Sequence, residues 1–122
     1  MKVQEYVLED GSSPFKAWFD GLAPEAAVKV ATTLIRMERG LVSAINWFGG
    51  IGEYKIDWGP GIRIYLAQDG AELIILFGGG TKKHQSADIE KAKLLHQQYK
   101  GRKKELKSVE KKMIPKSAKR KK

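Results

Sequence analysis

From Ile51 onward the chain adopts a two-residue period that a hairpin-connected sheet satisfies and a helix does not. Tyr54, Ile56 and Trp58 fall on one face of the first run, and Glu53, Lys55 and Asp57 on the other. Gly59-Pro60-Gly61 is turn chemistry, and Asp69-Gly70 is a hairpin signal between alternating segments. Between them Ile62, Ile64 and Leu66 alternate with Arg63 and Tyr65. The run from Glu72 to Phe77 is apolar on both faces, as a central strand requires, and Gly78-Gly79-Gly80 reads as its end. The pattern predicts a three-stranded antiparallel meander with one buried face. Its other face carries Lys55, Arg63 and Tyr65 together.

Helices flank this meander. Ser13-Pro14 reads as a helix cap followed by a first-turn proline, and Phe15, Trp18, Phe19 and Leu22 lie on one apolar stripe. Pro24 restarts the chain, and Ala27, Val30, Leu34, Met37 and Leu41 continue at helical spacing towards Gly40. Two helices joined this tightly predict an antiparallel hairpin whose aromatics cover the sheet. A last helix opens near Ser86, with Asp88 and Glu90 in its first turn and Ile89, Ala92, Leu95 and Tyr99 inward. A short stretch of strand character around Val3, Tyr6 and Val7 precedes everything, so the chain reads β-αα-βββ-α. The expected class is α+β: an N-terminal helical hairpin packed on an antiparallel sheet, with a C-terminal helix.

Composition separates body from tail. Of 122 residues, 42% are hydrophobic and none is cysteine, which excludes disulfides, thiolate metal sites and thiol nucleophiles. Residues 1–100 hold equal numbers of basic and acidic side chains, so the net charge of +9 resides wholly in 101–122. The expected organisation is one domain over 1–100 and a basic, disordered tail over 101–122, with order stopping at Gly101. That tail has two readings, a solvated extension or an attractor of RNA phosphates. Met1 to Glu5 lacks the pattern of a signal peptide, and Leu73 to Phe77 is far too short to span a bilayer. A cytoplasmic protein without membrane partners is expected.

Two motifs carry a resemblance. Gly52-Glu53-Tyr54-Lys55-Ile56-Asp57-Trp58-Gly59-Pro60-Gly61-Ile62-Arg63-Ile64-Tyr65 is similar to a signature of the HigB-like, or addiction module killer, branch of the RelE/ParE toxin superfamily. Gly79-Gly80-Thr81-Lys82-Lys83-His84-Gln85, followed by Asp88-Ile89 and Ala92, resembles that branch's second signature. The resemblance spans roughly residues 1–100 and leaves the tail without a counterpart. Lys55 stands where the branch commonly has arginine, which keeps the charge but removes bidentate phosphate geometry. Ile62 replaces a frequent tyrosine, Thr81 a frequent acid and His84 a small hydroxyl residue.

The resemblance implies a RelE-like fold and a toxin of a type II toxin–antitoxin system. It implies cleavage of mRNA on the ribosome without a metal or other cofactor, and neutralisation by a cognate antitoxin, commonly a helix-turn-helix protein. In such cleavage the ribose 2′-OH attacks the adjacent phosphate, so the site needs a proton acceptor, cations for the crowded phosphorane and a donor for the leaving 5′-oxygen. Arg63 is the expected phosphate clamp, with Lys55 assisting it or taking the proton. Lys82 would close the site. His84 is either the acid–base group or a polar loop residue. Tyr65, Lys83 and Gln85 are expected to bind substrate, Tyr65 by stacking on a base or by donating a proton. The bland reading makes Lys55 and Arg63 solvent-facing charges balanced by Glu53 and Asp57, and His96 a surface or boundary residue. Two other functions fit the same residues: poisoning of DNA gyrase in the manner of ParE, and a non-catalytic RNA- or ribosome-binding module.

Overall fold

The computed structural model describes residues 1–113. Its order is β1 (Lys2–Glu5), α1 (Pro14–Asp20), α2 (Pro24–Glu38), β2 (Asn46–Phe48), β3 (Ile51–Ile56), β4 (Ile62–Asp69), β5 (Leu73–Thr81), one 3-10 turn (Lys82–His84) and α3 (Gln85–Met113). The local capping logic holds at α1, where the Ser13 hydroxyl accepts from the Lys16 amide at 3.1 Å and Pro14 occupies the first turn.

The sheet departs from the expected antiparallel meander under an N-terminal helical hairpin. It is five-stranded and mixed, in the order β1-β5-β4-β3-β2. The N-terminal strand suggested by the sequence is a member of this sheet, and it runs parallel to β5 with Val3 opposite Ile74. Such a pairing joins residues 71 positions apart, and no local period encodes it. At the opposite edge the short β2 folds back on β3 through Gly49-Gly50, whose φ of +58° and +85° are what a two-residue hairpin turn demands.

Both faces of the sheet are covered, which corrects the expectation of a single buried face. One core lies under α1 and α2 and gathers Phe15, Val30, Met37, Ile64, Leu66 and Leu76. The other lies under α3 and gathers Tyr6, Ile51, Tyr65, Ile75, Phe77 and Leu95. Each large apolar side chain so buried contributes about 1.5–3 kcal/mol. Two sandwiched layers explain why β5 is apolar on alternate sides.

Gly78, Gly79 and Gly80 do not end β5. They continue it to Thr81, past a bulge where Tyr65 opposes Gly78 while Leu66 opposes Leu76. The role of Gly79 and Gly80 is close approach. A Cβ on Gly79 would lie 2.4 Å from the Trp18 ring, and one on Gly80 would meet the Asp88 carboxylate at 2.0 Å. The missing side chains let α1 and α3 seat directly on the strand.

The disordered tail expected from Gly101 is also corrected. α3 runs through that glycine to Met113, and only 114–122 lie outside the described residues. A helix-interior glycine costs roughly 1 kcal/mol relative to alanine. Contacts with the body offset it: Arg102 Nη1 donates to the Val7 carbonyl at 2.6 Å, and Lys103 Nζ reaches both Asp69 oxygens at 2.7 Å. Among the described residues no helix is long and apolar enough to cross a membrane.

Candidate functional site

The register of the β3–β4 hairpin places the expected residues. Lys55 opposes Arg63, Glu53 opposes Tyr65, and Arg63 in turn opposes Gly80 on β5. Side chains of this row face α3. Thr81 opposes Ile62, so the turn Lys82–His84 begins two residues beyond the Arg63–Gly80 pair. The same turn delivers Gln85 into the first turn of α3. One end of the α3-facing side therefore collects Lys55, Arg63, Lys82, Lys83, His84 and Gln85.

Within that cluster burial divides the residues. Lys55, Lys82, Lys83 and His84 are exposed. Arg63 is only 7% exposed, Tyr65 1% and Glu53 2%. Glu53 organises the interior, because one of its oxygens, Oε2, accepts from the Tyr65 hydroxyl at 3.0 Å and from Gln85 Nε2 at 2.8 Å. The Arg63 Nε lies 3.6 Å from the same oxygen, an ion pair too long for a hydrogen bond. That Nε is buried without a hydrogen-bond partner. Arg63 Nη1 donates to the Gly61 carbonyl at 3.2 Å, which ties the guanidinium to the Gly-Pro-Gly turn. A guanidinium has five N–H donors, and this is its one hydrogen bond among the described residues.

Tyr65 differs from its expected role. With its ring in the core and its hydroxyl on Glu53, it has no open face on which a base could stack. Its pKa is pushed upward by burial first, then by the hydrogen bond to Glu53 and that carboxylate's charge. Gln85 likewise spends its amide on Glu53. Both hold the carboxylate that faces Arg63. Sequence reasoning treats Glu53 only as a counter-charge; the signal that exposes it is the hairpin register, which sets it diagonally from Arg63 on the same face.

His96 is half-buried at the boundary of the α3 core, its ring tilted on Phe77 with ring centroids 5.7 Å apart. Its pKa is lowered, mainly by desolvation and then by Lys100. A groove of about 850 Å³ is lined by Tyr6, Leu73, Ile75, Tyr99, Arg102 and Leu106 among others, and by none of the clustered residues.

The fold and cluster together define an α/β sandwich protein with a buried carboxylate–guanidinium pair beneath a rim of exposed cations. The chain is 37% identical over 86 residues to an uncharacterized protein of Haemophilus influenzae, a match covering 69% of this chain and 87% of the relative. It belongs to the same family as that protein. No family model matches the chain, and no solved structure matches it.

Proposed function

We propose that this chain is the toxin of a type II toxin–antitoxin system, a metal-independent endoribonuclease that cuts mRNA on the ribosome. The observation that carries the reading is the state of Arg63. Its guanidinium is held in place by Glu53 and Gly61 with donor capacity left over, and exposed Lys55 stands opposite it across the hairpin. Preorganised cations of this kind stabilise charge developing on a phosphorane without reorganising at the moment of reaction. The two signature-like segments supply the reading's other support, since they place Lys55, Arg63 and Lys82 at one end of one face.

In the proposed reaction the 2′-oxygen bonds to phosphorus as the bond to the 5′-oxygen breaks, leaving a cyclic phosphate and a 5′-hydroxyl. Arg63 and Lys55 neutralise the phosphorane, while Lys82 and Lys83 hold the flanking phosphates. His84 or Lys55 exchanges the proton. Glu53 is too buried to reach a ribose and acts as a positioning residue. The partner of this reading is a cognate antitoxin of helix-turn-helix type, in the cytoplasm.

Cell-free translation with purified protein, followed by mapping of mRNA 5′ ends, tests it. Wild type should produce new ends on translated message. Lys55→Ala and Lys82→Ala alter exposed side chains and leave the core intact, so they should fold normally and lose about 10²-fold or more in cutting. Intact message with the wild-type protein would end the nuclease reading and favour gyrase poisoning or a non-catalytic binder.

A further inference from the structure

The second half of α3 carries an ordered charge pattern that a disordered tail would lack. At 3.6 residues per turn, Lys93, Lys100, Lys104, Lys107 and Lys111 fall within about 60° of arc and span about 27 Å of helix. None of the five forms a salt bridge or side-chain hydrogen bond among the described residues, whereas neighbouring Lys103 is committed to Asp69. Glu105 and Glu110 lie off the arc. At its near end Lys93 leans over the β2–β3 turn, with its Cε 2.8 Å from where a Gly49 Cβ would stand. The stripe thus continues from the body of the protein to the end of the described helix.

From this geometry we propose that the α3 lysine stripe binds the phosphate backbone of double-stranded RNA. A straight row of point charges on a rigid helix matches a rigid line of phosphates. Single-stranded nucleic acid is gripped by stacking its bases on aromatic side chains, and no aromatic residue shares the arc. A helix lying on a membrane must turn its apolar face into lipid, but Ala92, Leu95 and Tyr99 of α3 pack against the sheet. Binding through lysine alone is sequence-independent and strongly salt-dependent. The choice of RNA over DNA rests on the endoribonuclease reading.

The test is fluorescence anisotropy of the full chain with a labelled RNA duplex of about 16 base pairs, repeated across salt concentrations. Lys104→Glu and Lys107→Glu should each lower affinity at least about fivefold and reduce the slope of log K against log salt by about 1. Lys112→Glu makes the same change in net charge on another side of the helix and should leave both quantities nearly unaltered. Equal losses from Lys112→Glu and Lys107→Glu, or no binding by the wild type, would overturn the stripe. A DNA duplex bound equally well, with the same dependence on Lys107, would overturn the assignment to RNA. Anisotropy reads duplex binding and the mapping of mRNA 5′ ends reads cleavage, so a failure of the stripe and a failure of the nuclease reading are scored separately.

Discussion

Replacing Glu53 with glutamine isolates the charge of the buried pair. Tyr65 and Gln85 both donate to the single oxygen Oε2, so a glutamine carbonyl in that position keeps both hydrogen bonds and removes only the negative charge facing Arg63. At the observed 3.6 Å separation, and with an effective dielectric constant of about 20, the direct attraction is roughly 4–5 kcal/mol. Desolvation of both groups offsets much of it, yet stranding either partner costs about 3–5 kcal/mol, because an uncompensated charge stays buried. Glu53→Gln and Arg63→Met should therefore each lower stability by about 3 kcal/mol in urea denaturation followed by circular dichroism. The double variant buries no charge and should lose about 2 kcal/mol or less, a coupling of roughly 4 kcal/mol. Contacting residues show coupling, whereas independent ones add within about 0.5 kcal/mol. Additive losses would refute the claim that Glu53 holds Arg63, and with it the argument that the guanidinium is preorganised.

Neighbouring glycines of β5 should respond oppositely to alanine. Gly78→Ala meets nothing within 4 Å and should be neutral or stabilise by up to about 1 kcal/mol. Gly79→Ala drives a methyl into the Trp18 ring at 2.4 Å and should cost about 1–3 kcal/mol, read as a lower thermal midpoint. His96 predicts a pH dependence. Its folded pKa lies below the ordinary histidine value of 6.5, so the unfolded chain binds more protons as pH falls through that value. Its contribution to stability is present above pH 6.5 and is lost as pH falls towards the lowered pKa. Urea midpoints from pH 8 to pH 5 should fall more steeply for wild type than for His96→Gln, and parallel curves would refute it.

Elements with local signatures were legible in the chain. The β3–β4 hairpin follows from alternation about Gly-Pro-Gly, and α1 from Ser13-Pro14. What escaped depends on partners distant in sequence. The polar strand β1, of which only Val3 is half-buried, gives no hint that it joins β5 in parallel. Three residues of β2 are too few for a period. The triple glycine looks like a terminator until Trp18 and Asp88 are seen occupying the space that side chains would fill. Gly101 looks like a helix end because its cost is local, while the compensation at Val7 and Asp69 comes from elsewhere in the fold.

The candidate site shows the same division at the level of single residues. That Lys55, Arg63 and Tyr65 share a face is read directly from alternation. Which of them meets solvent is not, because α3, arriving twenty residues later in the chain, covers part of that face. Cover removes Tyr65 from any substrate and converts it into a donor to Glu53. It also decides between the two neighbours of Arg63: the unlike charge is enclosed with it, and the like charge, Lys55, is left at the rim. Enclosing Lys55 instead would have placed two cations in low dielectric without compensation, which costs far more than leaving one in water. The arrangement therefore puts a fixed guanidinium below and a solvated ammonium above, so an incoming phosphate would complete the charge balance that Glu53 begins.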